Sequence, residues 1–170
     1  RLVTGVQTCA LPILRVAPRQ NRSGREHAAR VFAPEPPGRI PVLVDDSTGI
    51  TLFESAAILL YLADMTGRLL PSAPHKRWEA IQWLMFHAAS VGPIIGQRGH
   101  FEVFTAEQNP PAIARYRCLM NEAFDTLDSR LAVHPYLAGE EYSIADIAQF
   151  GWTHIVRIIH FDFRDRKSVV

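Results

Sequence analysis

The chain reads as an α+β protein, a short strand–turn–strand–helix unit followed by a mostly helical remainder. Three observations lead there. The run Gly38-Arg39-Ile40-Pro41-Val42-Leu43-Val44-Asp45, then Leu52-Phe53-Glu54-Ser55 and an apolar helical segment to Leu62, has the order of two strands and a helix. After Pro71, apolar residues recur at helical rather than alternating spacing. Between the two regions lies the proline-bounded stretch Arg68 to Pro74, with the linker at 71–74 and the domain boundary placed there.

The first strand is entered through Pro41, and the second ends at Phe53. Ser55 is expected to cap the following helix with its side chain. The free N–H groups at that helix start attract anions, and a carboxylate there gains roughly 0.3–1 kcal/mol. The segment thus reads as a docking site for a small ligand with a free carboxylate, beside an open strand edge. Ile58, Leu59, Leu62 and Met65 form the apolar side of the helix, and Gly67 stands where a left-handed C-terminal cap belongs.

A long helix is predicted from about Lys76, with Trp78, Ile81, Trp83, Leu84 and Phe86 in its apolar rows. Pro93, with Gly92 and Gly96, is expected to kink or break it. Another helix is predicted from about Ala112 through Leu131, ending before His134-Pro135. The last begins at Ser143, where Ser143 and Asp146 form a capping-box pattern with Tyr142 and Ile147 placed as the flanking staple. These four are a folding device without chemistry.

The two ends are read as foreign. Residues 1–13 contain VTGVQTCALPI and residues 165–170 are DRKSVV, and both match translations of sequencing-library adapters, so they are excluded from fold reasoning. On this reading the chain is a gene fragment. Residues 14–37 are Arg-, Ala- and Pro-rich without apolar period, and all of them but Asn21, Ser23 and Phe32 are residue types encoded with G or C in the first codon position. That bias belongs to the third position of a GC-rich gene. A one-nucleotide shift is therefore expected before Gly38, making 14–37 an out-of-frame part of the N-terminal domain; the alternative is a natural basic, disordered tail.

Composition is recounted accordingly. The formal charge is +1 over the whole chain, but residues 38–164 hold 10 Lys/Arg against 14 Asp/Glu, or −4. That excludes a basic field for nucleic acid. Of the two cysteines only Cys118 lies outside the adapter matches, so no disulfide framework exists and a cytoplasmic location is expected. There is no signal peptide and no long apolar run, so no membrane partner is expected. Cys118 reads as a small, partly buried hydrophobe. His75, His87, His134, His154 and His160 lack metal-ligand spacing and read as structural or surface residues, so no metal is expected.

Between Gly38 and Trp152 the chain resembles the glutathione transferases, especially the bacterial nu-class and fungal prion-like branch. GRIPVLVDD, LFESAAILLYLADMTGRLLP and YLAGEEYSIADIAQF carry the resemblance, and GPIIGQRGHF resembles the nu-class stretch in which the first helix of the second domain bends over the active site. The resemblance implies a truncated thioredoxin-like N-terminal domain at 38–70, followed at 75–164 by an incomplete all-α domain. It implies that Pro41 is cis and that the backbone of Ile40 pairs with the cysteinyl part of glutathione. It makes Glu54 the partner of the γ-glutamyl ammonium and Ser55 the donor to its carboxylate. Arg115 corresponds to an arginine that reaches glutathione carboxylates in relatives, a role its bidentate fork suits. Gln97 and His100 are candidates for a second pocket.

The implied function is that of a glutathione transferase or glutathione-dependent disulfide-bond reductase, with glutathione as cosubstrate, an electrophile or disulfide as second substrate, and a homodimer as assembly. The family's thiolate-stabilising residue follows its first strand, upstream of Leu14, and its identity is unknown. The fragment is therefore expected to be inactive even where its parent is an enzyme. The competing reading is a non-catalytic glutathione-transferase-like interaction or regulatory module, which would have no need of Glu54 and Ser55.

Overall fold

The computed structural model describes residues 41–156 and the backbone of Leu14–Val16 and of residues 157–159. Ile40 and His160 lie outside the described residues. The chain divides between Leu62 and Ala63 into two compact units.

The first unit is a three-stranded antiparallel sheet in the order β1 (Leu14–Val16), β2 (Val42–Asp45), β3 (Ile50–Phe53), followed by helix α1 (Ser55–Thr66), within which the division falls. β1 lies inside the stretch read as out of frame. In the β2–β3 hairpin Val42 faces Phe53 and Asp45 faces Ile50. The turn closes through Gly49, whose N–H donates to the carbonyl of Asp45 at 2.9 Å with φ +73°, a conformation that favours glycine. Val42 and Leu43 are buried, as are Ala56 and Ile58 on α1.

One expectation at α1 needs correction. Ser55 is not the cap but the first helical residue. Glu54 holds the cap position, since its carbonyl accepts the first intrahelical bond from Ile58 N–H at 3.0 Å. The physical reason is the tight corner. Glu54 alone carries the chain out of β3 and into α1, and does so at φ +70°.

The second unit is helical. It contains α2 (Pro74–Phe86), a π turn at His87–Val91, α3 (Gly92–Gly99), a second π turn at His100–Phe104, α4 (Pro110–Leu131), α5 (Ile144–Thr153) and a 3₁₀ turn at His154–Ile159. The expected break at Pro93 does not occur. Val91 and Gly92 keep right-handed helical angles, and the axis passes from α2 into α3 through the π turn. In that turn the N–H of Gly92 reaches back five residues to the carbonyl of His87. Widening the helix just before Pro93 lets a carbonyl forgo a partner where the proline has no N–H to give.

The core of this unit joins Val91 and Ile95 to Met120, Phe124 and Leu127 of α4 and to Ala145 of α5, with Trp83, Phe86 and Trp152 packed against it. Trp152 lies across the two glycines of α3. A Cβ at Gly92 would come 2.9 Å from its Nε1, whereas one at Gly96 would meet the ring at 3.4 Å. The glycines thus serve close approach rather than a kink.

The start of α5 is the best-determined corner of the unit. The capping box between Ser143 and Asp146 is present. Ser143 N–H donates to Asp146 Oδ2 at 2.9 Å, Ser143 Oγ donates to the same oxygen at 3.0 Å, and Leu137 N–H donates to Oδ1 at 2.9 Å. The side chain therefore fixes both the helix start and the preceding turn, which is more than capping requires. Ile144 N–H donates to the carbonyl of Leu69 at 2.9 Å, tying the connection after α1 to the same point. Tyr142, expected as a staple with Ile147, packs edge-on against Tyr136.

His87 is buried inside the first π turn, 3.3 Å through Nδ1 from Gln149 Oε1 of α5. Burial pushes its pKa down, and the bond to Gln149 only partly opposes this.

Two outcomes follow. Gly92→Ala gains roughly 1 kcal/mol of helix propensity but incurs an overpacking cost of about 1–3 kcal/mol against Trp152, so it lowers stability, whereas Gly96→Ala is neutral or stabilising. Urea unfolding of the two variants checks the opposite signs. For His87 the folded state favours the neutral ring. Stability from this residue is therefore complete above the ordinary histidine pKa of about 6.5 and is lost as pH falls through and below it. His87→Gln should flatten the decline in melting temperature between about pH 7 and 5, measured by scanning calorimetry.

Candidate functional site

The corner between β3 and α1 has the most distinctive geometry among the described residues. Glu54 and Ser55 are both exposed. The first amides of α1, from Ser55 onward, have no acceptor within the helix, so donors, a hydroxyl and the positive end of the helix dipole converge beside the Glu54 carboxylate. That combination suits a zwitterionic group: an ammonium for the acid and a carboxylate for the helix start. A non-glycine residue in the left-handed region costs on the order of 1–3 kcal/mol and persists where the surrounding structure over-determines it, often at ligand clamps. Pro41 is exposed and stands directly before β2.

The hairpin turn holds a residue that sequence reasoning missed. Asp45 is fully buried. Its Oδ1 accepts from Ser47 N–H at 2.9 Å, Ser47 Oγ at 2.7 Å and Thr48 N–H at 3.4 Å, while its Oδ2 accepts from the hydroxyl of Tyr61 on α1. The Tyr61 bond foremost, then those from Ser47, hold its carboxyl well below the usual range. The signal was present, since Asp followed two residues later by Ser and then Gly is an Asx-turn pattern.

In the helical unit, Gln97 is exposed on α3, one turn before the exposed His100. His100 is engaged locally, with Nε2 3.1 Å from Thr105 Oγ1 and its ring edge-on to Phe101, which stacks on Tyr116. Arg115 is exposed on α4. The buried cation nearby is Arg98, whose Nε donates to Glu102 Oε1 at 3.0 Å, and Arg117 Nε reaches the same oxygen at 2.7 Å. Burial works against the Glu102 carboxylate, but the two arginines outweigh it and hold its pKa below the ordinary value.

Cys118 departs from expectation: it is exposed rather than partly buried. Its Sγ donates to Glu122 Oε1 at 3.4 Å, and that bond and charge push the thiol pKa up, so it is a poor nucleophile. Among the described residues no group of three His, Cys, Asp or Glu is placed to hold a metal ion, and no helix is long and apolar enough to cross a membrane.

Comparison with known proteins gives concordant results. The family model "Glutathione S-transferase, C-terminal domain" matches residues 83–168, and "Glutathione S-transferase, N-terminal domain" matches residues 14–64. Disulfide-bond oxidoreductase YfcG of Escherichia coli is 40% identical over 133 residues, covering 72% of this chain and 62% of the relative. Disulfide-bond oxidoreductase YghU of the same organism is 38% identical over 119 residues, covering 69% of this chain and 41% of its own. The chain thus spans 62% and 41% of the lengths of these two relatives, less than two thirds of either. Among solved structures, a glutathione transferase from Burkholderia graminis with two glutathione molecules bound per subunit superposes with a TM-score of 0.74 at 34% identity, covering 81% of this chain and 62% of that one. A glutathione transferase from Streptococcus pneumoniae in complex with glutathione gives 0.76 at 35%, covering 84% and 57%. With a strand–corner–helix unit, an all-helical unit and family matches to both, the chain belongs to the glutathione S-transferase family.

Proposed function

We propose that the chain is part of a glutathione-dependent transferase or disulfide-bond reductase, and that the corner at Glu54 and Ser55 binds the γ-glutamyl end of glutathione. The supporting observation is that corner: an exposed carboxylate held at φ +70° next to the first amides and the serine hydroxyl of a helix start. Glu54 meets the ammonium as an ion pair, and Ser55 with the first amides of α1 meets the carboxylate. The resemblance supports Ile40, the residue before Pro41 in the sequence, as the backbone partner of the cysteinyl part, and Arg115 as the partner of a glutathione carboxylate. Gln97 and His100 line a pocket for the second substrate. The relatives named oxidoreductases and the glutathione-bound structures support this assignment.

The reacting group is the thiol of glutathione; Cys118, bonded to the Glu122 carboxylate that raises its pKa, has no part in the step. As a thiolate it attacks one sulfur of a disulfide, forming a new S–S bond and releasing the other sulfur as a thiolate, or it attacks an electrophilic carbon and displaces or adds to it. The assembly proposed is a cytoplasmic homodimer.

The test uses two substitutions of one residue. Glu54→Gln keeps the shape and removes the charge, and should weaken glutathione binding about tenfold, the scale of one charge-assisted contact. Glu54→Gly should weaken binding at least as much while raising stability by about 0.5–1 kcal/mol, because glycine adopts positive φ without strain. Isothermal titration and urea unfolding read the two effects. Undiminished binding in both variants would place the glutathione site elsewhere than this corner, and absence of binding by the unmodified chain would favour the non-catalytic module.

A further inference from the structure

The corner at Glu54 is held in a conformation the residue would not choose, so something at a distance must hold it. The chain path shows what does. From Glu54, β3 extends back along the hairpin for four residues, about 13 Å, and α1 rises about 9 Å from Ser55 to Tyr61. The two arms would be free to swing about Glu54 if nothing joined their far ends. Asp45, paired with Ile50 at the far end of the hairpin, accepts the Tyr61 hydroxyl on Oδ2, and Thr48 Oγ1 lies 3.3 Å from the same hydroxyl. The result is a closed triangle with Glu54 at one corner and the Asp45–Tyr61 bond across the opposite side.

We propose that Asp45 and Tyr61 are positioning residues for the Glu54–Ser55 site, a clasp that fixes Glu54 in the left-handed region and so aims its carboxylate and the first amides of α1 at one ligand. The proposal rests on the reading of that corner as a glutathione site and adds the residues that shape it. Asp45 performs two separable tasks. Its Oδ1 organises the hairpin turn through Ser47 and Thr48, and its Oδ2 alone reaches the helix. The bond also favours the Asp45 carboxylate and raises the Tyr61 pKa, so acceptor and donor states hold across the neutral range. Closing the triangle is what over-determines a strained corner, as strain at binding sites requires.

The two tasks allow a test that mere loss of stability would not pass. Tyr61→Phe cuts the clasp and leaves the turn; Ser47→Ala weakens the turn and leaves the clasp. Each is made in this chain, with glutathione affinity read by titration calorimetry and the Glu54 backbone read by NMR from its HN–Hα coupling and Cβ shift. Tyr61→Phe should move Glu54 out of the left-handed region and raise the glutathione dissociation constant about tenfold, the effect of one hydrogen bond to a charged group. Ser47→Ala should lower the melting temperature yet leave both readings as in the unmodified chain. Should Tyr61→Phe fail to fold, Asp45→Ser serves in its place, because a shorter hydroxyl still accepts from the turn amides but does not extend to the Tyr61 hydroxyl. An unchanged Glu54 conformation in the clasp variant overturns the proposal, and so does weakening of affinity that tracks melting temperature equally in both variants. If the unmodified chain does not bind glutathione, the functional reading fails by itself and the Glu54 conformation alone decides the clasp.

Discussion

A single residue reverses the chain between β3 and α1, and the chemistry of the N-terminal unit depends on that reversal. Because Glu54 makes the turn alone, its carbonyl begins the helix, its carboxylate is left beside the helix start, and Ser55 becomes the first helical residue. A longer connection would relieve the positive φ but separate the acid from the amides it works with. Strain and placement are therefore one constraint, and a site for a zwitterionic group follows from it.

The helical unit answers a different demand, that of carrying the chain past a proline with helical backbone angles kept. The π turn at His87–Val91 absorbs the missing donor of Pro93, and in doing so places His87 inside the structure against Gln149. Gly92 and Gly96 then let Trp152 lie close to the helix surface, which brings α5 onto the core. At the other end of α5, Asp146 satisfies three donors and Ile144 holds the carbonyl of Leu69, so the helix start also anchors the connection that leaves α1.

Much of this was legible in the sequence. The order of strands and helices followed from apolar spacing, and the capping box at Ser143 and Asp146 follows from residue type and separation alone. Ile40, Pro41, Glu54 and Ser55 follow from the GRIPVLVDD and LFESAAILLYLADMTGRLLP stretches, Gln97 and His100 from GPIIGQRGHF and Arg115 from its own helix, and of these Glu54 and Ser55 stand together because they are adjacent. What was misread has a common cause. Pro93 reads as a kink or a break because proline removes one bond; the helix is not broken, since a π turn needs one fewer bond at that place, and no local pattern announces it. Ser55 was taken as the cap because serine favours that position, but the cap is decided by the backbone angle of its neighbour. Cys118 was judged by its average burial, whereas its position on the outer side of α4 exposes it. Asp45 was overlooked because its partner, Tyr61, lies sixteen residues away, and such pairs are visible only once the helix folds back along the hairpin.

The most direct measurement is an amide NMR titration of the chain with glutathione, set beside the same titration with the dipeptide Cys-Gly, which lacks the γ-glutamyl group. Binding at the corner predicts saturable shifts at the amides of Ser55, Ala56 and Ala57 with glutathione and none there with Cys-Gly. Equal shifts from the two ligands, or shifts that leave those three amides unmoved, would contradict a γ-glutamyl site at Glu54 and Ser55.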